Sequence, residues 1–181
     1  MSLLIQPLTH ATIKPLVKLA FKIWHEHYDS IIGSDQVNYM LEKFQNENAI
    51  VQQQLEGYQY YSAFENTNTY NSDKLHKSNE NIGQLMGYFS IKEEANNNLF
   101  ISKFYLSNQA RGKGYGRKML EFIELKARKL NKTSLDLTVN KFNNAYEIYL
   151  KLGFEKVGSA QFDIGGGYIM DDYLLKKILE N

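Results

Sequence analysis

The chain has no cysteine, which excludes a disulfide framework, a thiolate metal site and a cysteine nucleophile. It has only two prolines, Pro7 and Pro15, and no Pro/Gly-rich linker divides it. No apolar run reaches the about 18 residues that would cross a bilayer. The start, Met1-Ser2-Leu3-Leu4-Ile5-Gln6-Pro7, lacks the basic residues and apolar stretch of a secretory signal. An excess of one charge is missing too. Lys+Arg number 21 and Asp+Glu 20, a net charge of +1, so there is no basic surplus to drive non-specific nucleic-acid binding. These absences lead us to expect a soluble, cytoplasmic protein with no nucleic-acid partner, no membrane partner and no metal.

What is present is material for a core. Of the 181 residues 43% are hydrophobic and 13% aromatic, which excludes a chain disordered throughout. The length points to one domain over 1–181. Leu3 to Gln6 reads as a strand ended by Pro7. Thr9 offers an N-cap to a helix with Pro15 in its first turn and Ile13, Leu16, Val17, Ala20, Phe21 and Trp24 on its buried face. Two shorter helices follow, one capped by Ser34 and one running through Ile50 to Gly57. Tyr58 to Phe64 and Ile82 to Ile91 are strand-like, and the Asn/Ser/Thr/Lys-rich segment 65–81 between them reads as a flexible hairpin tip. Phe100 to Leu106 and Leu135 to Asn140 are strands around a helix over Gly116 to Leu130. Asn143 to Leu152 is a short helix stopped by Gly153. Phe154 to Phe162 and Tyr168 to Leu175 close the chain as strands around Gly165-Gly166-Gly167. The order predicts an α+β domain with a mixed, predominantly antiparallel sheet flanked by helices.

The segment richest in chemistry is Arg111-Gly112-Lys113-Gly114-Tyr115-Gly116-Arg117, between a strand and a helix. Alternating glycines let the backbone turn tightly and approach a ligand closely. The first N–H groups of the following helix lack intrahelical acceptors and carry the positive end of its dipole, so the turn can cradle an anion, phosphate above all. It is not a P-loop, because G-x-x-x-x-G-K-[ST] is absent. It is not a dinucleotide fingerprint, because Arg117 stands where the third glycine would be.

With a second block downstream, Asn140-Lys141-Phe142-Asn143-Asn144-Ala145-Tyr146-Glu147-Ile148-Tyr149-Leu150-Lys151-Leu152-Gly153-Phe154, the sequence resembles the GNAT superfamily of acyl-CoA-dependent N-acyltransferases. Tyr39-Met40-Leu41-Glu42 and the tail from Phe162 to Leu175 are similar to the bacterial polyamine acetyltransferases of the PaiA type. The resemblance implies a sheet that splays between its fourth and fifth strands, with acetyl-CoA as co-substrate in the splay. It implies pyrophosphate on the 111–117 turn, and pantetheine beside the backbone of Phe104, Tyr105 and Leu106 and near Asn140 and Asn143. Lys151 is then a candidate for the phosphate end, and Tyr149 matches the phenol that faces the thiol sulfur. From spacing alone, Tyr149 reads first as one more core aromatic among 13 tyrosines, and only the resemblance reverses that preference.

Acetyl transfer to an amine needs a neutral nitrogen, a polarised carbonyl and a proton for the departing thiolate. Without cysteine we expect direct attack in a ternary complex rather than a thiol acyl-enzyme. The base is open. Ser102 occupies the position of a glutamate that some polyamine acetyltransferases carry, with Lys103 after it, and Glu26, Glu93, Glu94, His25 and His27 are candidates. Acceptor contacts are sought among Glu26, Tyr28, Asp29 and Asp35 in the first helices and Asp163, Asp171 and Asp172 in the last strands. Asp171 and Asp172 point to opposite faces of a strand, so only one can line a pocket. The expected acceptor is a small primary amine, a polyamine or diamine first. A peptide amino terminus, an amino sugar, a non-catalytic acetyl-CoA sensor and a plain phosphate binder stay as alternatives, and a homodimer stays open.

Overall fold

Residues 2–66 and 83–180 are described by the computed structural model. The elements run β1 (Ser2–Pro7), α1 (His10–Ile32), α2 (Ser34–Phe44), α3 (Glu47–Leu55), β2 (Gln59–Asn66), β3 (Leu85–Glu93), β4 (Asn98–Leu106), α4 (Tyr115–Lys129), β5 (Ser134–Asn140), α5 (Ala145–Lys151), β6 (Glu155–Gly165) and β7 (Tyr168–Ile178). A 3-10 turn, Asn108–Ala110, joins β4 to α4. All strands lie in one seven-stranded sheet, ordered β1-β2-β3-β4-β5-β7-β6. Every join is antiparallel except β4–β5, the mixed, mostly antiparallel arrangement expected. No helix among the described residues is long and apolar enough to cross a membrane. Of the polar segment 65–81, Glu65 and Asn66 belong to β2; the remainder lies outside the described residues.

Alternation along the strands sends apolar side chains to both faces, and each face carries its own core. One side packs α1, α2 and α3 through Leu16, Ala20, Val37 and Ile50 onto Tyr60 and Tyr88. The other packs α4 through Met119 and Ile123 onto Phe89, Ile91, Leu99 and Leu135. Each Leu, Ile, Val, Met or Phe among them contributes roughly 1.5–3 kcal/mol when fully buried.

Two expectations for α1 are corrected. Phe21 is 56% exposed, because the buried stripe follows Ile13, Leu16, Ala20, Ile23 and Trp24 and Phe21 stands about 100° round the helix from Ala20. Pro15 is not in the first turn. The helix begins at His10 and encloses it, and the ring deprives the Ala11 carbonyl of its helical donor. Ala11 and Pro15 are both exposed, so water can serve that carbonyl instead. Ser34 is the first residue of α2, and Gly33 is its cap.

The β6–β7 turn is docked against α2. Tyr39 donates its phenolic hydrogen to the Ile164 carbonyl at 2.8 Å. Gly166, at φ +64°, passes so close that an added Cβ would stand 2.8 Å from the Tyr39 ring. Only glycine meets both conditions.

β4 has a bulge that decides where its later side chains point. Ser90 pairs with Lys103 but Ile91 pairs with Ile101, so Ser102 is the extra residue. Before the bulge, Leu99 and Ile101 face α4. After it, Phe104 and Leu106 face that side, and Lys103 and Tyr105 turn toward α1, α2 and α3.

Candidate active site

β4 and β5 part company halfway along. Their parallel pairing covers Asn98↔Ser134, Leu99↔Leu135 and Phe100↔Asp136 and then stops, although β4 continues to Leu106 and β5 to Asn140. On its other edge β4 stays bonded to β3. The Ser107 N–H reaches the Met86 carbonyl at 2.9 Å, and pairing runs back through Tyr105↔Tyr88 and Lys103↔Ser90. Alternate residues of a strand bond to opposite neighbours. The main-chain groups of Phe104 and Leu106 are therefore the ones aimed across the splay, while those of Tyr105 belong to the β3 ladder.

The splay opens into a cleft of about 920 Å³ that runs across the sheet to the start of α4. Arg111, Gly116 and Arg117 wall that end. Helix α4 has no side-chain cap and no acid in its first turn. Its first intrahelical acceptor, the Gly114 carbonyl, takes the Lys118 N–H at 3.2 Å, leaving the N–H groups of Tyr115, Gly116 and Arg117 without intrahelical partners. Gly112 and Gly114 sit at φ +74° and +75°, and an added Cβ at either would meet nothing within 4 Å. An open, uncapped helix start beside two arginines suits an anion. Lys113 and Tyr115, from the same turn, face elsewhere. The Lys113 ammonium (3.0 Å) and the Tyr115 hydroxyl (2.7 Å) both donate to Glu65 Oε1, which holds that carboxyl below its ordinary range, Tyr115 being the larger cause and Lys113 the next. Tyr115 thereby anchors the turn to β2.

Tyr149, Tyr28, Asn140 and Asp172 also line the cleft. Tyr149, on α5, packs between Phe104 and Phe154 with ring centroids 6.2 and 5.7 Å away. Burial, with the Tyr28 phenol as a lesser cause, pushes its pKa well above the usual tyrosine value. Tyr28 is pushed up to about 12, chiefly by burial. Asp172 is 2% exposed, its Oδ1 has no hydrogen-bond partner, and burial raises its pKa. Its neighbour Asp171 points the other way and pairs with Lys141 at 2.6 Å.

Several sequence candidates stand outside this wall. Glu26 is exposed and accepts from Asn108 Nδ2 at 2.8 Å. Asp29 meets His25 Nδ1 at 3.0 Å, Asp163 accepts the Gly165 N–H at 2.8 Å, and Asp35 lies in the exposed first turn of α2. Glu93 pairs with Lys132 at 3.1 Å, and Glu94 accepts from Asn98 Nδ2 at 2.7 Å. Lys151 is exposed and does not line the cleft. Asn143 does line it, but its amide serves the protein. Oδ1 meets His27 Nε2 at 3.0 Å and accepts the Ala145 N–H at 2.9 Å. Asn140 Oδ1 accepts the Phe142 N–H at 3.0 Å, shaping the β5–α5 bend.

Lys103 is the wall residue that sequence reading passed over. It is 7% exposed, donates to Gln53 Oε1 at 2.7 Å, and burial brings its pKa down to about 8. A lysine at the alternation position of Leu99 and Ile101 is the signal that could have found it, since strict alternation would drive its charge into the α4 core. Among the described residues no cluster of His, Asp and Glu could hold a metal ion.

The chain is similar to known proteins in sequence and in fold. The model of the acetyltransferase (GNAT) domain matches residues 40–168. An uncharacterised N-acetyltransferase in the pepI 3' region of Lactobacillus delbrueckii subsp. lactis is 32% identical over 105 residues, 54% of this chain and 60% of that protein. Among solved structures, the PaiA N-acetyltransferase of Thermoplasma acidophilum in complex with coenzyme A superposes with a TM-score of 0.75 at 20% identity, covering 98% of this chain and 99% of the other. A GCN5-related N-acetyltransferase of Rhodopseudomonas palustris also reaches 0.75, at 14% identity, with 99% and 97% covered. Matched by that domain model over most of its length, the chain belongs to the acetyltransferase (GNAT) family.

Proposed function

We propose that the protein transfers the acetyl group of acetyl-CoA to a primary amine of a small acceptor, by direct attack in a ternary complex. The observation that carries this reading is the parting of β4 and β5 after Phe100↔Asp136, in a cleft that ends at an uncapped helix start. The α4 N–H groups with Arg111 and Arg117 would hold the diphosphate. The main chain of Phe104 and Leu106 would bond the pantetheine amides, and the Leu106 N–H would meet the acetyl oxygen as charge develops on it.

The remaining chemistry is proton traffic. An alkylammonium, with a pKa of about 10, must lose a proton before it attacks. Asp172 is suited to receive it, as a buried carboxylate whose raised pKa makes it a stronger base than a surface aspartate. The C–N bond forms and the C–S bond breaks. Two protons leave the nitrogen in all, one reaches the sulfur, and the other goes to solvent. Tyr149 is the donor to sulfur. Burial keeps its phenol protonated, and the same apolar surroundings raise the proton affinity of the departing thiolate.

A polyamine or diamine acceptor, which the resemblance implies, draws support from Asp172. It would need a second carboxylate for its far ammonium, and the other acid in the wall, Glu56, is exposed. The test of the reaction is release of free CoA thiol from acetyl-CoA across a panel of amines. Release that requires an amine supports the enzyme. CoA binding without release would leave a sensor, and tighter binding of ATP or NAD than of CoA would point to a general phosphate binder.

A further inference from the structure

The acceptor half of the cleft has an unusual charge for an amine pocket. Lys103 and Lys43 both reach its wall. Lys43 donates to the Ile164 carbonyl at 2.6 Å and to the Tyr39 hydroxyl at 3.0 Å. Lys103 has less. The residue is 7% exposed, its ammonium donates to the neutral Gln53 amide, and the Tyr60 and Tyr58 rings lie 5.3 and 5.9 Å away. Among the described residues it forms no ion pair with a carboxylate. Gln53 is itself held, taking the Tyr60 hydroxyl at 2.6 Å and donating to the Phe44 carbonyl at 3.1 Å, so the ammonium sits in a prepared place.

A buried cation without a counter-ion is costly unless a ligand supplies one. The bulge at Ser102 turns this side chain out of the α4 core and into the cleft. We propose that Lys103 is an anion subsite, and that the acceptor is an amine bearing a carboxylate several bonds from the nitrogen. This rests on the acetyl-transfer reading, which puts the reacting carbonyl at Leu106. Lys103 lies three residues back along β4, roughly 10 Å at strand spacing. An α-amino acid, with its carboxylate next to the nitrogen, is too short to reach both places. A diamine brings a second cation toward a buried one and is repelled.

The test is kcat/KM, at saturating acetyl-CoA, for 5-aminopentanoate and 6-aminohexanoate against glycine, pentylamine and 1,5-diaminopentane. The two longer acids should exceed the other three at least tenfold. Lys103→Met should erase the preference by raising KM for the acids, leaving acetyl-CoA affinity unchanged, and Lys103→Arg should keep most of it. Diamine or pentylamine acetylated as well as the acids, or a preference that survives in Lys103→Met, overturns the proposal. Should no amine be acetylated, the transferase reading fails. Calorimetry of the same compounds with the CoA complex then decides the subsite. Tighter binding of the acids in the native protein but not in Lys103→Met sustains it, and equal binding ends it.

Discussion

Asn143, at the start of the β5–α5 connection, donates from Nδ2 to the phenolic oxygen of Tyr28 on α1 at 3.2 Å. The two residues lie 115 positions apart in sequence, and the bond ties α1 and α5 together across the cleft.

That bond, with those to His27 and Ala145, makes Asn143→Ala a stability variant. Three polar groups lose a partner in a site where Asn143 is 5% exposed, and an unsatisfied buried group costs about 1–3 kcal/mol. Urea unfolding should show a loss in that range, with CoA affinity changed less than about threefold. A large loss of CoA affinity at unchanged stability would return the amide to the ligand.

Tyr149→Phe removes the proposed acid and keeps the ring against Phe104 and Phe154. Turnover should fall about 100- to 10,000-fold, the usual scale for one general acid, with CoA affinity intact. Equal turnover in the two proteins would make Tyr149 a packing residue.

Gly114→Asp separates helix stability from ligand binding. The site has room for the side chain, aspartate tolerates positive φ better than most residues, and an acid at the start of α4 favours its dipole. The fold should survive. The new carboxylate would face the proposed diphosphate, and CoA should bind at least tenfold more weakly by calorimetry. Unchanged affinity would put the diphosphate elsewhere.

Lys103 also sets a pH dependence. Its folded pKa, about 8, lies below the 10.5 of an ordinary lysine, and burial is the cause. Gln53 on α3, Ser90 opposite it on β3, and Tyr58 and Tyr60 are the groups it meets, with Lys92 also stacked on Tyr58. Between these two values the unfolded chain holds a proton that the folded chain has released, so stability rises with pH across the window. The sign is that of a buried base, full stabilisation above the upper value and a penalty below the lower one. Lys103→Met should flatten this segment of the stability profile and raise stability at pH 7 by roughly 1–3 kcal/mol.

The sequence by itself determined the order of elements, the place of the glycine-rich turn and the family. Those depend on local quantities: hydrophobic period, glycine spacing, and residue types that two short blocks bring together. Alternation also assigned Asp171 and Asp172 to opposite faces, and only Asp172 lines the cleft. What tertiary structure decided is which polar groups remain unsatisfied. Asn143 has the right residue type for a ligand contact, but α1 comes close enough to occupy its amide. Glu26 and Asp29 lie beside Tyr28 in sequence, yet their side chains leave α1 in other directions and do not line the cleft. Lys103 depends on a one-residue bulge that reverses the facing of the rest of β4, and a bulge arises from how two strands register, which neither strand encodes alone.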